Sequence, residues 1–479
     1  MKTRSSPLRA PAARTARRAG ALLALALLAA CATQPPYEAP AAPAPQAFKE
    51  AGATWTPAAP ADALDRGPWW ELFQDAELNR LAAQVQLSNQ NIAAAVAAYA
   101  QAQAVVRQER AGLFPSVGLS GGATRTGGEG AARTGLSTSA SLGVDWAPDL
   151  WGRLQGGVGA AQASAQASEA DLASARLSAV GALASAYFQL READAEGELL
   201  QATVEGYERS LQIARNRYGA GVVAQTDVLQ AQTQLANARA DLATVRQNRA
   251  RFEHAVAVLT GRAPADFALP PAPWSAAVPE VPPVVPSSLL QRRPDIAAAE
   301  RAVAAAHAQI GIQRAGYFPN LGLRGSLGSG GSSVSDLFKA STLVWSLGLS
   351  VAQTVFDAGA TTARVDAAQA ARDARVAAYR QTVLTAFQSV EDQLTVLRTL
   401  QAQEPLRREA VAAAERTAQQ LLNRYREGQV SYTEVVTAQV AALSAQRALL
   451  QLQVNRQLAA VALVQALGGG WHAPWQPPA

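Results

Sequence analysis

The sequence predicts a mainly α chain with a small transmembrane β part: a tandem repeat of long coiled-coil helical hairpins plus four β-strands. Three observations carry this prediction. Arg153 to Tyr218 runs 66 residues with helix-forming composition and no proline. At ~1.5 Å per residue that is roughly 100 Å of helix. A compact globule of this length would have a radius of gyration of only about 23 Å, so the helix cannot fold inside one and must act as a strut. Short segments elsewhere change period to strict alternation. The whole plan then recurs once, about 200 residues later.

The first thirty residues read as an export signal. A charged region is followed by an apolar core, Ala19 to Ala30, too short to span a bilayer and ending in small residues. Leu28-Ala29-Ala30-Cys31 resembles a bacterial lipobox, which implies that Cys31, the single cysteine, carries the covalent lipid. No disulfide is then possible. Ala32 follows, where an aspartate in related lipoproteins argues for inner-membrane retention, so the expected destination is the outer membrane. The formal charge of +5 also changes meaning here. Six of the 42 basic residues lie in the signal, leaving 36 against 37 acidic residues, and a nearly neutral chain offers no footprint for nucleic acid.

Residues 31–68 are rich in proline and alanine and predict an extended, lipid-anchored tether without core residues. The first structural repeat spans 69–263. It opens with helices from Asp75 to Leu87 and from Ile92 to Ala111, closed by Phe114-Pro115. A β-hairpin over 116–146 follows. Ala140, Leu142, Val144 and Trp146 share one face of its second strand, and Val117, Leu119 and Ala123 share one face of the first. A glycine-rich loop, Gly127 to Gly135, joins them. The coiled-coil hairpin spans 153–259. Leu200, Val204, Tyr207, Leu211, Ala214 and Tyr218 face Val228, Ala231, Leu235, Ala238, Leu242, Val245, Arg249, Phe252, Val256 and Leu259 in steps of three and four. Such spacing predicts left-handed, antiparallel supercoiling.

A proline-rich crossing at 264–286 leads into the second repeat, 287–470, before a tail at 471–479. Ala111 to Leu119 reappears as Ala315 to Leu323, and Arg217-Tyr218 with Gly221, Thr226 and Asp227 returns as Arg424-Tyr425 with Gly428, Thr433 and Glu434. The offset moves only from 204 to 207. This copy has its own β-hairpin over 320–353, with Trp345 among the apolar positions, and its own coiled-coil hairpin over 361–467, bent where Pro405 removes a donor. Gly328 to Gly331 reads as a flexible turn rather than a phosphate loop, since no Lys-Ser/Thr follows.

Strands of about ten residues, apolar on one face and small or polar on the other, match the outer-membrane barrel pattern, with Trp146 and Trp345 toward lipid. A soluble sandwich of four strands is the poorer fit. Four strands are also too few to close a barrel, so closure needs several chains, and the arithmetic permits a dimer with eight strands or a trimer with twelve. His254, His307 and His472 are far apart, and no nucleophile has a plausible base, so neither catalysis, metal nor cofactor is expected. A lipid-anchored periplasmic spacer or enzyme without a pore is the competing reading.

Trp69-Trp70-Glu71-Leu72-Phe73, Leu290-Gln291-Arg292-Arg293-Pro294-Asp295-Ile296, the two Arg-Tyr turns and Ala466-Leu467-Gly468-Gly469-Gly470-Trp471 resemble the lipoprotein branch of the TolC-like outer-membrane factors. The resemblance runs in order over the whole mature chain. It implies a homotrimer whose twelve-stranded barrel in outer-membrane lipid continues as an α-helical barrel through the periplasm. It also implies two partners: a periplasmic adaptor and an inner-membrane pump, often of the resistance-nodulation-division class. The turns at Tyr218, Gly221 and Gly428 are the expected adaptor-docking tips, one full strut from a membrane hairpin. Tyr425, Asp227 and Glu434 are the gate residues the resemblance implies, with Thr437 where relatives often carry a second carboxylate. Asp227 and Glu434 could equally serve as helix N-terminal charges favoured by the dipole.

Overall fold

The computed structural model describes residues 36–42, 45, 48–51, 68–128, 135–279 and 293–469. Cys31 with its signal, Gly470 and the tail at 471–479, and the end of the proline-rich crossing lie outside these. Eleven helices and strands follow in order: α1 (Ala76–Ser88), α2 (Gln90–Ala111), β1 (Ser116–Thr126), β2 (Gly135–Trp146), α3 (Arg153–Gly219), α4 (Gln225–Leu259), α5 (Pro294–Arg314), β3 (Asn320–Gly331), β4 (Leu343–Ala352), α6 (Ala360–Arg426) and α7 (Tyr432–Ala466). The duplication is visible in element lengths. Both α3 and α6 have 67 residues, and both α4 and α7 have 35. The helix α6 continues through Pro405 as one element, since a proline deletes one rung of the hydrogen-bond ladder and leaves its neighbours.

Contacts divide the chain into two units that do not follow the two repeats. One takes the described residues within 1–41, 99–168 and 299–379, and the other those within 42–98, 169–298 and 380–479.

The first unit holds one antiparallel sheet in the order β1-β2-β3-β4. Its register aligns the apolar positions of all four strands. Leu142 pairs with Leu119 on one side and Leu327 on the other, Leu327 pairs with Trp345, and Trp146 pairs with Leu323, which pairs with Leu349. Residues directly opposite share a face, so the alternation read from each strand merges into one apolar surface. That surface is uncovered: Leu119 is 81% exposed and Trp345 and Leu347 are each 74% exposed. The reverse face is small and polar. Ser120 meets Ser141 and Ser326 meets Ser346, each pair at 2.8 Å, and Arg324 pairs with Asp145 at 2.9 Å. One expectation fails here. Gly328–Gly331 is not a turn but the end of β3, because Gly328 and Gly330 face the backbone of β2, where a Cβ would come within 3.2 Å of Ala140 O and 3.1 Å of Thr138 O.

In the second unit, the seam residues Leu200, Val204, Tyr207, Leu211 and Ala214 of α3 form one buried cluster with Val228, Ala231, Leu235, Ala238, Leu242 and Val245 of α4. The predicted seam is right up to its ends. Tyr218 lies outside it and is 46% exposed, and the Arg249 position is occupied by an ion pair with Asp194 at 2.6 Å. Asp194 also takes Arg191 at 2.9 Å, and the two arginines donate to Pro270 O and Leu269 O. Gln457 completes this anchorage, accepting from Trp274 Nε1 at 3.0 Å and donating to Ser275 O and Ala277 O. The carbonyls of an irregular segment have no ladder partners, and these side chains supply donors to the crossing.

Helix α1 starts where Asp75 accepts from the N–H groups of Glu77 and Leu78, and α2 where Asn89 accepts from Asn91 and Ile92. The tether is less bare than its composition predicts. Phe48 is 4% exposed against Phe387, and the N–H groups of Lys49 and Glu50 both donate to Glu391. In the other unit, Tyr37 donates to Glu300 and packs edge-on to His307. One aromatic residue at each position is enough to anchor an otherwise proline-rich segment.

Candidate gate and docking turns

The helical hairpins reverse at two turns of the same construction. Gly221 and Gly428 take φ of +71° and +78°, as the sequence predicts for glycines past a helix end. Val222 N donates to Arg217 O and Gln429 N to Arg424 O, both at 2.9 Å, closing the same six-residue loop in each repeat. At Gly221 a Cβ would meet open space, whereas at Gly428 it would lie 3.3 Å from Arg217 Nη2.

That arginine marks where the two turns join. Its guanidinium lies over the Tyr425 ring, 4.8 Å from the centroid, and donates to the carbonyls of Tyr425 and Arg426. Tyr425 is 2% exposed, tilted against Tyr432 at 5.1 Å, and its hydroxyl donates to Asp227 Oδ2 at 3.3 Å. Burial, and then the Asp227 carboxylate, push its pKa up to about 12, so it remains a donor at any physiological pH. Thr433 Oγ1 donates to Gln230 Oε1 at 3.3 Å and Gln234 Nε2 to Gln439 Oε1 at 3.2 Å, extending the polar seam along α4 and α7.

Two of the three residues named for the gate are therefore joined, and the third is placed elsewhere. Glu434 closes a capping box with Ser431, accepting its N–H and its hydroxyl through Oε1. Among the described residues, the Tyr425 hydroxyl bonds Asp227 and not this carboxylate. Tyr218 stands exposed beside its turn. Arg217 is not among the residues that the sequence singles out for this site, although Arg217-Tyr218 is half of the repeated motif. Its equivalence to Arg424 hid the fact that only one copy of the arginine reaches a tyrosine of the other repeat.

His254 is exposed on α4. Among the described residues no three His, Cys, Asp or Glu side chains gather as metal ligands, and no helix is long and apolar enough to cross a membrane.

The family model described as "Outer membrane efflux protein" matches residues 81–262 and 285–469, which is most of both repeats. The chain belongs to this family. The antibiotic efflux pump outer membrane protein ArpC of Pseudomonas putida is 32% identical over 456 residues, covering 93% of this chain and 94% of ArpC. Outer membrane protein OprJ of Pseudomonas aeruginosa is 32% identical over 463 residues, covering 94% and 95%. Among solved structures, the outer-membrane channel OprN superposes with a TM-score of 0.79 at 30% identity, over 92% of this chain and 99% of that one. The open state of the Neisseria gonorrhoeae MtrE channel gives 0.80 at 28%, over 93% and 99%. This outer membrane efflux protein is thus an efflux channel of the outer membrane.

Proposed function

We propose that three copies of this efflux protein close a twelve-stranded barrel, continued in the periplasm by their helical hairpins, and that an adaptor and an inner-membrane pump complete the conduit. The observation that carries the assembly is the sheet itself. Its four strands share one exposed apolar face, and β1 and β4 each have one partner within the chain. Unpaired edges cannot persist in lipid, so other copies must pair with them. The superposition on solved channels over nine-tenths of the chain supports the same arrangement.

Cys31 is read as the acylated first residue of the mature chain, and the turns at Gly221 and Gly428 as the adaptor-docking ends. The gate is assigned to Tyr425 and Asp227 with Arg217 added, and Glu434 and the exposed Tyr218 beside them. Cargo choice belongs to the pump. Relatives carry names as different as toluene efflux, pyoverdine export and cation efflux, so a shared conduit fits better than a selective site. The chain is read as a conduit and not a catalyst.

Unheated samples should migrate at three times the mass of the mature chain and convert to single chains on boiling, with discrete conductance steps in planar bilayers. A single-chain band before heating, without conductance, would overturn the reading in favour of a lipid-anchored spacer.

A further inference from the structure

We infer that the sheet carries, at its end away from the helices, a site for a phosphate-bearing lipid: Arg125 takes the headgroup phosphate, and Val334 and Phe338 of the β3–β4 loop lie against the acyl chains. The inference rests on the reading that the apolar sheet face meets lipid. The four strands join helices at their Ser116, Trp146, Asn320 and Ala352 ends, so Arg125 and residues 332–342 stand at the opposite end. With the helices in the periplasm, that end lies at the outer leaflet.

The four strands contain three charged residues, Arg125, Asp145 and Arg324. Asp145 and Arg324 sit opposite each other on the reverse face and pair at 2.9 Å. Arg125 does not share that face. It lies opposite Leu136, in step with Leu119 opposite Leu142, and therefore belongs to the apolar side. It is exposed, and among the described residues no hydrogen bond or ion pair engages it. A cation on a lipid-facing strand is costly at mid-membrane and nearly without cost at the interface, where its stem can lift the charge to headgroup level. A guanidinium there binds two phosphate oxygens at once.

The β3–β4 loop bends over the same side. Thr138 pairs with Gly331 and Ser329 with Leu343, so all share the face of Leu142 and Leu327 at its outer end. The loop covers each of them. Thr138, only 3% exposed, donates through Oγ1 to Ser333 O at 2.9 Å, Ser329 Oγ donates to Asp336 O at 3.3 Å, and Asp336 Cβ fills the place a Gly331 side chain would take. A capping box between Ser333 and Asp336 fixes the turn, and Thr342 Oγ1 closes it by donating to Asp336 O at 2.6 Å. Held this way, the loop leaves Val334 60% and Phe338 86% exposed. Its two charges, Asp336 and Lys339, neutralise each other at 2.6 Å. A tied-down loop of no net charge, with bare apolar side chains continuous with an apolar face, suits acyl chains better than water. Strands β1 and β3 are two strand spacings apart, roughly 10 Å, so a single lipid can touch both Arg125 and the loop.

The full chain, with p-benzoylphenylalanine in place of Leu347 or of Phe338, is reconstituted into vesicles of phosphatidylcholine containing phosphatidic acid. After irradiation, mass spectrometry identifies the adducts. Leu347 lies within β4 on the apolar face and reports on the face itself. Lipid adducts are expected at both positions, with phosphatidic acid at Phe338 enriched about fivefold over its share of the vesicle, the gain of one basic residue at an anionic lipid surface. Arg125→Gln in the Phe338 photoprobe chain should abolish the enrichment and leave the phosphatidylcholine adducts, and excess inorganic phosphate should not displace it. No lipid on Leu347 overturns the face reading and the inference with it. Lipid on Leu347 with none on Phe338, or with Phe338 joined to protein, overturns the inference alone. So does an absent enrichment, one that survives Arg125→Gln, or one that inorganic phosphate removes.

Discussion

Arg217 covers the face of Tyr425 from the opposite repeat, its guanidinium carbon 4.8 Å from the ring centroid, while it caps the helix to which that tyrosine belongs by bonding Arg426 O at 3.1 Å. One side chain therefore joins two helical hairpins through a ring, two carbonyls and a turn. Arg217 Nε is buried without a hydrogen-bond partner in this arrangement. Leaving such a donor unpaired costs about 1 to 3 kcal/mol, so the contact holds the turns together without being a deep energy minimum.

The first prediction concerns the gate proposed at this join. Tyr425→Phe with Asp227→Ala removes the 3.3 Å bond and the half-buried carboxylate while keeping the ring that Arg217 covers. Resting conductance in planar bilayers should rise and cells should become sensitive to large antibiotics, with no loss of the heat-modifiable assembly. Unchanged conductance in a correctly assembled double mutant would leave Asp227 only its place in the first turn of α4, worth about 0.3 to 1 kcal/mol.

The two glycine turns should differ in tolerance. An alanine at φ near +75° costs about 1 to 2 kcal/mol at either position. At Gly428 its Cβ would additionally press on Arg217 Nη2 at 3.3 Å, and at Gly221 it meets nothing. Gly428→Ala should therefore mimic the gate double mutant in conductance, whereas Gly221→Ala should lower thermal stability without opening the channel. Equal conductance in the two variants would show that the Arg217 contact does not restrain the gate.

For the barrel, Trp345→Arg should reduce assembly several-fold more than Ser346→Arg, measured as the unheated high-mass band. Trp345 pairs with Leu327 on the apolar face, and Ser346 pairs with Ser326 on the reverse face. A basic residue toward lipid costs about 2 to 4 kcal/mol at mid-membrane and less near the edge. Similar losses would mean that the faces are inverted.

Much of this was legible in the sequence because the physics was local or periodic. The alternation of Leu343, Trp345, Leu347 and Leu349 needs no tertiary information to define a face, and a proline-free run defines a helix. Register added what periodicity cannot, the merging of four such faces through pairs like Trp146 with Leu323. The Tyr425–Asp227 pair came from resemblance and was found bonded. Glu434, named beside them for the gate, bonds Ser431 in a cap geometry that its place at a helix start does not reveal in sequence. Gly328 to Gly331 misled for a similar reason: glycine marks close backbone approach as readily as a turn. The roles of Arg217, Arg191 and Gln457 depend on segments 79 to 208 residues away, which no spacing rule reaches.

The last prediction follows from a carboxyl group in the wrong protonation state for its surroundings. Burial within the helical unit, and then neighbouring Glu196, push the Glu192 pKa up to about 7, with Arg447 only partly opposing them. Arg447 is itself committed, since its Nε bonds Glu196 Oε1 at 2.6 Å and its Nη1 reaches Asp241 at 3.5 Å. In the unfolded chain Glu192 titrates near the ordinary value of 4.5. The folded state thus binds this proton more tightly than the unfolded one, and stability declines where the unfolded state has already lost it. The favourable contribution is complete below pH 4.5 and falls as pH rises from there through about 7. Above that, the folded chain carries a half-buried, ill-matched charge. Glu192→Gln removes the titration and keeps the size, so its melting temperature should exceed that of the parent at pH 8 and match it within about a degree at pH 5. Scanning fluorimetry of the detergent-solubilised assembly at the two pH values measures the difference. A gain of equal size at both would assign the effect to the amide's own hydrogen bonds and remove Glu192 from any account of pH dependence.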